Sequence, residues 1–310
     1  MLNRNMRWIL IIALVIAVAG LSTAQEKAQS VGATAEIVFY AGSSSNWSIY
    51  TVNTDGSNLQ QLTDAPGLDA LPKWSPDGEE IVFQSNRDGD WEIYVMNADG
   101  SSVRQLTSNE AADEFPNWSP DGTRICYCSN ISGSFQIHSL SVSGEPVPEQ
   151  LTETEEGNYQ PAWSPDGQKL AFSSDRDGNA ELYLLDLQTE TEHRLTFHDR
   201  SDLAPAWSPD GSMIAFQTKR NSNWDIYVLD VSAVLESNDP ASVESIQLTT
   251  FRGADEFPAW SPDGAMIVYE SDRRTEDIYL MDSDGSNPRP IVDRAGEDYG
   301  PHWRPLPESQ

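Results

Sequence analysis

The sequence predicts an all-β fold: a six-bladed β-propeller of four-stranded blades, its ring closed by the C-terminal strand joining the N-terminal blade. Three observations carry that expectation. The pentapeptide WSPDG occurs five times, at 74–78, 118–122, 163–167, 207–211 and 260–264, and Trp303 in PHWRPL marks a sixth copy that has lost the turn. The six tryptophans are separated by 44, 45, 44, 53 and 43 residues, the spacing at which each unit is one four-stranded blade. Two further columns keep the same register: Tyr50, Tyr94, His138, Tyr183, Tyr227 and Tyr279, then Leu62, Leu106, Leu151, Leu195, Leu248 and Ile291.

Along the chain, residues 1–24 come first and follow a different logic. Arg4 and Arg7 precede the apolar run WILIIALVIAVAGL, and Ser22 and Ala24 supply small residues before Gln25. That is the pattern of a secretory signal peptide, and a 14-residue apolar run is short for a spanning helix. Cleavage after Ala24 is the expectation, giving a periplasmic or extracellular protein with no membrane insertion. Residues 25–33 form an N-terminal tail, 34–305 the propeller and 306–310 a C-terminal tail.

Within one unit, residues 69–107, the elements read in order. DALPKW is extended, SPDG turns, EEIVFQS is a strand, NRDGD turns, WEIYVMN is a strand, ADGS turns and SVRQLT closes the blade. In SPDG the proline presets φ, the aspartate tolerates the next position and the glycine accepts the left-handed exit; Asp-Gly in the other two is a hairpin signal. Helical periodicity is absent beyond the leader. The mature chain starts without a Trp-containing strand and ends on one, so residues 298–305 are expected beside residues 36–63, which removes an exposed sheet edge. The unit between Trp207 and Trp260 is longer by about nine residues, read as a surface loop at 231–245.

Composition narrows the function classes. The formal charge is −30, from 49 acidic and 19 basic residues. Nucleic-acid affinity comes from lysine and arginine on phosphates, so this balance argues against nucleic acid and against anionic membranes. The two cysteines, Cys126 and Cys128, sit on one face of a strand, too far apart along it for a disulfide and without partners for zinc, so they read as packed core residues.

The stretches PNWSPDG and SNRDGDWEIYVMNADGSSVRQLT resemble the WD-like repeat of TolB-type β-propellers over residues 34–305. The resemblance implies six blades, export, and recognition of a protein partner through one face, as TolB binds a peptidoglycan-associated lipoprotein in the cell envelope. The α/β domain that precedes the TolB propeller has no counterpart in this sequence, nor has the catalytic domain that follows similar propellers in prolyl-oligopeptidase-type enzymes.

Five residues before each repeat tryptophan stand Asp69, Asp113, Asn158, Asp202, Asp255 and Asp298. If the first strand of each blade lines the channel, the six converge on its mouth, where like charges repel unless cations offset them. The hairpins SNRDG, SDRDG, TKRNS and SDRRT bring Arg87, Arg176, Arg220 and Arg273 to the same face. One reading is a ring of structural Asp–Arg pairs tying blades together; the others are a partner-binding rim, widened by Glu114, Glu256, Tyr159 and Tyr299, and a divalent cation site. Ser44 and Ile131 stand where two arginines are missing, which leaves Asp298 and Asp113 as the expected unpaired carboxylates.

No catalytic constellation is recognisable: GxSxG and HExxH are absent, and the four histidines do not group, with His138 in the tyrosine column and His302 beside a repeat tryptophan. NTDGS, DSDGS and DRDGNAE lack the full spacing of a calcium loop and fall where hairpin turns are needed. The tryptophan column reads as packing between blades, with Trp47, Trp91 and Trp224 as exposed candidates. The expectation is a monomeric, noncatalytic binding or scaffold propeller without cofactor that recognises a protein or peptide at the channel mouth. The rival is a hydrolase or lyase acting there on peptides or glycans, with or without a metal.

Overall fold

Each WSPDG copy folds into the same turn, and the turn explains the spelling. In the copy at 74–78, Ser75 N–H donates to the Glu80 carbonyl at 2.8 Å and Gly78 N–H to the Ser75 carbonyl at 2.9 Å. The Ser75 hydroxyl donates to Asp77 Oδ1 at 2.6 Å and accepts from Glu80 N–H at 2.9 Å, while Asp77 Oδ1 also accepts from Glu79 N–H at 3.0 Å. Gly78 has φ 70°, the left-handed exit that a side chain disfavours. The serine hydroxyl, then the backbone N–H, hold the carboxyls of Asp77, Asp121, Asp166 and Asp210 below the ordinary range. The turns also touch around the ring: a Cβ on Gly122, Gly167, Gly211 or Gly264 would meet Pro76, Pro120, Pro165 or Pro209 of the preceding turn. Gly78 faces Arg304 instead, whose guanidinium donates to the Gly78 carbonyl at 2.9 Å and stacks 4.6 Å from the Trp74 ring. Asp166→Ala is expected to cost about 1 kcal/mol at neutral pH and almost nothing once the carboxyl is protonated, as read by urea unfolding at two pH values.

The protein is described by a computed structural model covering residues 35–306 except 44, 45, 145, 274 and 293–295. The expected leader, the N-terminal tail, Ser44 and residues 307–310 lie outside the described residues. Numbered in chain order, β1 (Glu36–Ser43), β2 (Asn46–Asn53) and β3 (Gln60–Gln61) complete a sheet with β24 (Glu297–Trp303), in the order β24-β1-β2-β3. Asp298 pairs with Ala41 and Trp303 with Ile37, so the two ends of the chain build one blade as expected. The other five sheets each start with an inner strand: β4 (Asp69–Trp74), β8 (Asp113–Trp118), β12 (Asn158–Trp163), β16 (Asp202–Trp207) and β20 (Asp255–Trp260). Inner strands touch in succession from β24 through β4 to β20 and back to β24, closing a ring of six antiparallel blades.

The core lies between blades. Each of six apolar clusters joins two neighbours: Phe39, Val52 and Trp303 meet Val268 and Leu280, and Ile125 and Tyr127 meet Val82 and Val95. Cys126 and Cys128 are free, buried in one such cluster, and burial pushes both thiols up. Among the tryptophans, Trp118, Trp207 and Trp303 donate Nε1–H to the carbonyls of Lys73, Ala162 and Ala259, each on the preceding inner strand.

Two features depart from expectation. The insertion after Asp230 forms a short helix, α1 (Val231–Glu236), capped by Asp230 Oδ1 accepting from Ala233 N–H at 2.9 Å. Its Val231 and Val234 pack into the cluster between the fourth and fifth blades, so a segment that otherwise lies on the surface, as expected, adds two residues to the core as a helix rather than a loop. The inner strands are also not regular. Each carries a bulge whose central residue is left-handed: Leu71, Phe115, Gln160, Ala204, Phe257 and Gly300, at φ 49–56°. Only one of the six is glycine, so no sequence signal marks the column. At Gly300 a Cβ would stand 2.7 Å from the Tyr40 ring, which leaves glycine as the fitting residue there.

Candidate functional site

The bulge turns each inner strand so that the residue two before its left-handed position is buried under the mouth of the ring, and in five blades the left-handed residue itself lines the channel. Asp69, Asp113, Asn158, Asp202, Asp255 and Asp298 are all at most 1% exposed. The expectation that they form the exposed rim is corrected: they are buried, and at Asp69, Asn158, Asp202 and Asp255 the arginine of the hairpin between the second and third strands covers them. Ser85 Oγ and Arg87 Nη2 both donate to Asp69 Oδ1, at 2.6 and 2.8 Å. Arg220 Nη2 stands 2.7 Å from Asp202 Oδ2, Arg273 Nη2 3.7 Å from Asp255 Oδ2, and Arg176 Nη2 donates to Asn158 Oδ1 at 3.1 Å. The four arginines also stack on the repeat tyrosines, with Arg87, Arg176, Arg220 and Arg273 4.8, 4.2, 5.3 and 5.0 Å from the rings of Tyr94, Tyr183, Tyr227 and Tyr279. Each pair lies within one blade, so it locks a hairpin to its own inner strand and does not tie blades together.

Ties between blades come from a column that sequence reading missed, at the start of the third strand: Glu92, Gln136, Glu181 and Asp225. Glu181 accepts from His198 N–H at 2.9 Å and Thr196 Oγ1 at 2.6 Å on the way into the next blade. Gln136 Oε1 accepts from Asn158 Nδ2 at 2.9 Å, an amide facing an amide where neighbouring blades set acid near acid. Glu92 faces Asp113 in this way. Asn109 bridges them, its backbone N–H donating to Glu92 Oε1 at 2.6 Å and its Nδ2 to Asp113 Oδ2 at 2.8 Å. Glu92 Oε2 and Asp113 Oδ1 are buried with no hydrogen-bond partner among the described residues. The arginine of this blade is replaced by Ile131, 61% exposed, so Asp113 has no cation among the described residues, as expected. Burial, followed by the charges of Asp113 and Asp90, pushes Glu92 up to about 7.

The rim itself is acidic and aromatic, and its strongest part lies where the ring closes. Glu256 is half-buried, accepts from Gln217 Nε2 at 3.1 Å, and is pushed up to about 7 by burial and then by Glu276 and Asp272, with Lys219 opposing. Glu270 accepts the bulge N–H of Gly300 at 2.9 Å and is pushed up to about 8 by burial, then by Glu256 and Glu276. Beside them Tyr40 stacks on Tyr299 at 5.3 Å, and Trp47 lies 5.3 Å from Tyr40 and 6.2 Å from Tyr299. Across the mouth, Glu114 is half-buried and raised by burial and then Asp113. Sequence reading found Glu114, Glu256 and Tyr299 but missed Glu270 and Glu276. Position 270 belongs to a column that holds Gln84 and Gln217 elsewhere, each accepting the bulge N–H of the next blade.

Below the rim, the channel narrows to a cavity of about 190 Å³ walled by the inner strands. The histidines remain scattered: His138 packs 5.7 Å from Tyr127 with Nδ1 at the Gln136 carbonyl, His198 lies beside Asp199, and His302 lines the channel. Asp55, Asp99 and Asp284 accept from the N–H of Ser57, Ser101 and Ser286 and so close hairpins. No helix among the described residues is long and apolar enough to cross a membrane.

Comparison with known proteins gives a consistent architecture. Residues 33–143 match the Tricorn protease N-terminal beta propeller domain, and residues 146–237 the TolB beta propeller domain. A search of curated proteins finds no match. Among solved structures, TolB from Acinetobacter baumannii superposes with a TM-score of 0.77 at 22% identity, covering 88% of this chain and 67% of that one. A putative TolB from Agrobacterium tumefaciens gives 0.68 at 24%, covering 86% and 91%. A puromycin-hydrolyzing peptidase from Mycobacterium tuberculosis gives 0.57 at 16%, covering 84% of this chain and 46% of the peptidase. At these identities the likeness is one of fold.

Proposed function

We propose that this chain, a TolB-like six-bladed propeller, is an exported noncatalytic binding module that takes a basic segment of a protein partner at its channel mouth. One observation carries the reading: Glu256, Glu270 and Glu276 crowd against one another beside Tyr40, Trp47 and Tyr299, with Lys219 the single cation among the described residues bearing on Glu256. Glu256 and Glu270, held partly protonated by burial and by their acidic neighbours, gain most from an incoming guanidinium or ammonium, and aromatic faces attract the same groups. The likeness to TolB supports a protein partner, residues 1–24 support export, and the charge of −30 supports a cationic one.

The test is titration of labelled decapeptides carrying arginine or lysine, with glutamate-bearing peptides as controls, at low and high salt. Basic peptides are expected to quench Trp47 fluorescence, to weaken at least tenfold on Glu256→Gln/Glu276→Gln, and to release protons near neutral pH as Glu256 and Glu270 ionise. Equal binding of acidic and basic peptides, or an unchanged double variant, overturns the reading. Cleavage of the peptides during the titration would instead establish the hydrolase that the likeness to a peptidase raises.

A further inference from the structure

The channel below the rim has the opposite electrostatic character to the rest of the molecule. Its wall contains Lys73 from β4 and His302 from β24, with Asn117 and Gln160 as the neutral polar groups, and holds no aspartate or glutamate among the described residues. In a chain with 49 acidic residues and 19 basic ones, an acid-free wall around a lysine is a local inversion of charge. The Lys73 ammonium has no hydrogen-bond or ion-pair partner among the described residues, and burial alone lowers it to about 8. Trp74 N–H donates to His302 Nδ1 at 3.2 Å. The neutral ring therefore carries its proton on Nε2, a donor, and burial followed by the charge of Lys73 keeps the ring neutral. Leu71, Phe115 and Phe257, set on the bulges above, supply an apolar wall between these groups and the rim.

We propose that this channel is a binding site for a carboxylate carried on a short apolar chain, its charge at Lys73 and His302 and its hydrocarbon against Leu71, Phe115 and Phe257. One cation with one neutral donor balances a monoanion and leaves a dianion such as phosphate under-neutralised. An ammonium that is half-buried in the channel without a partner is partly stripped of water, and a ligand carboxylate offsets that cost, so the ligand also stabilises the folded ring. At about 190 Å³ the cavity takes a small acid or one terminal residue of a chain rather than a folded segment. This site is separate from the rim and of opposite charge preference, so either holds if the other fails.

Calorimetric titration of the full chain with valerate tests the proposal. Binding is expected at pH 7 and is expected to weaken at least tenfold by pH 10, because the ammonium that the anion needs is lost as pH rises through and beyond about 8. Pentanamide, which has the same shape without the charge, is expected not to compete. Lys73→Met is expected to lose valerate binding while melting no lower than the wild-type chain, since it removes an unpaired, half-buried charge; His302→Gln is expected to weaken binding several-fold. The tripeptide Ala-Ala-Leu and its C-terminal amide separate the two sources of such a carboxylate: tighter binding of the acid form points to a chain terminus, and valerate alone to a free short-chain acid. No saturable binding of either acid, equal binding of pentanamide, or unchanged binding in Lys73→Met overturns the proposal, and the pH series on the wild-type chain decides it even if the variants fold poorly.

Discussion

Arg220→Ala is expected to destabilise the ring by about 3–5 kcal/mol, the loss typical of removing one partner from a buried ion pair. Asp202 has a side chain 0% exposed, and Arg220 is the cation in contact with it, Nη2 to Oδ2 at 2.7 Å. The guanidinium also covers Phe216 and Tyr227, at 5.5 and 5.3 Å from their ring centres, so alanine removes packing as well as charge. The stranded carboxylate then lies near Glu181, whose own cation, Arg194 at 3.2 Å, is already engaged. Arg220→Lys is expected to fall between wild type and alanine, since an ammonium keeps the charge but neither the planar stack nor the fork. The discriminating variant is Arg220→Met/Asp202→Asn. If the cost of Arg220→Ala is mainly an uncompensated charge, this double variant regains more than half of the lost stability, a coupling that urea unfolding of the four species measures directly. A loss under about 1 kcal/mol for Arg220→Ala, or strict additivity, would show that Asp202 is solvated or protonated without its arginine.

Much of this architecture was legible because the repeat writes each structural duty in a separate column. The turn needs serine, aspartate and glycine at fixed offsets, and it is spelled five times because five blades make the same bonds, such as Ser75 to Asp77 and Ser164 to Asp166. In one blade two columns lapse together: where Ile131 replaces arginine, His138 replaces the tyrosine on which that arginine would stack. The depth of the aspartate column was not legible, because it depends on a bulge formed by ordinary residues such as Leu71 and Phe257 rather than by glycine. Nor was the acidic patch at the closure, since Glu270 reads as one more polar residue in a strand until Gly300, from the far end of the chain, is placed against it. Lys73 and Asn117 occupy the place that holds alanine in three other blades, at Ala162, Ala206 and Ala259, and only ring closure puts Lys73 opposite His302.

Stability should fall as pH rises from 5 to 8.5, against the trend set by the turn aspartates. Glu92 and Glu270 are 1% and 6% exposed, and burial pushes their carboxyls up to about 7 and about 8 from an ordinary value of 4.5. Between those values the folded state binds more protons than the unfolded one, so the slope of stability with pH is negative there. Their full contribution is present below about 4.5 and is lost as pH passes through 7 and 8. The depressed aspartates, Asp77 among them, act in the opposite sense and lose their contribution only below the ordinary 3.8. The optimum therefore lies between these windows, near pH 4–5. Every tenfold difference in proton affinity between the folded and unfolded states is worth about 1.4 kcal/mol, so the two glutamates together account for several kcal/mol, and the midpoint is expected to drop on the order of 10 °C across the range. The chain supplies its own controls: Gln136 stands where Glu92 does and accepts the backbone N–H of Thr154 as Glu92 accepts that of Asn109, and Gln84 and Gln217 stand where Glu270 does and accept the bulge N–H, all without a charge to bury. Glu92→Gln/Glu270→Gln is expected to more than halve the drop and to leave the double variant more stable than wild type at pH 8.5, because an amide is neutral in both states. A midpoint that is flat or rising from pH 5 to 8.5, or a double variant that tracks wild type, would mean that both carboxylates ionise at ordinary values and that solvent or an unrecognised cation reaches them.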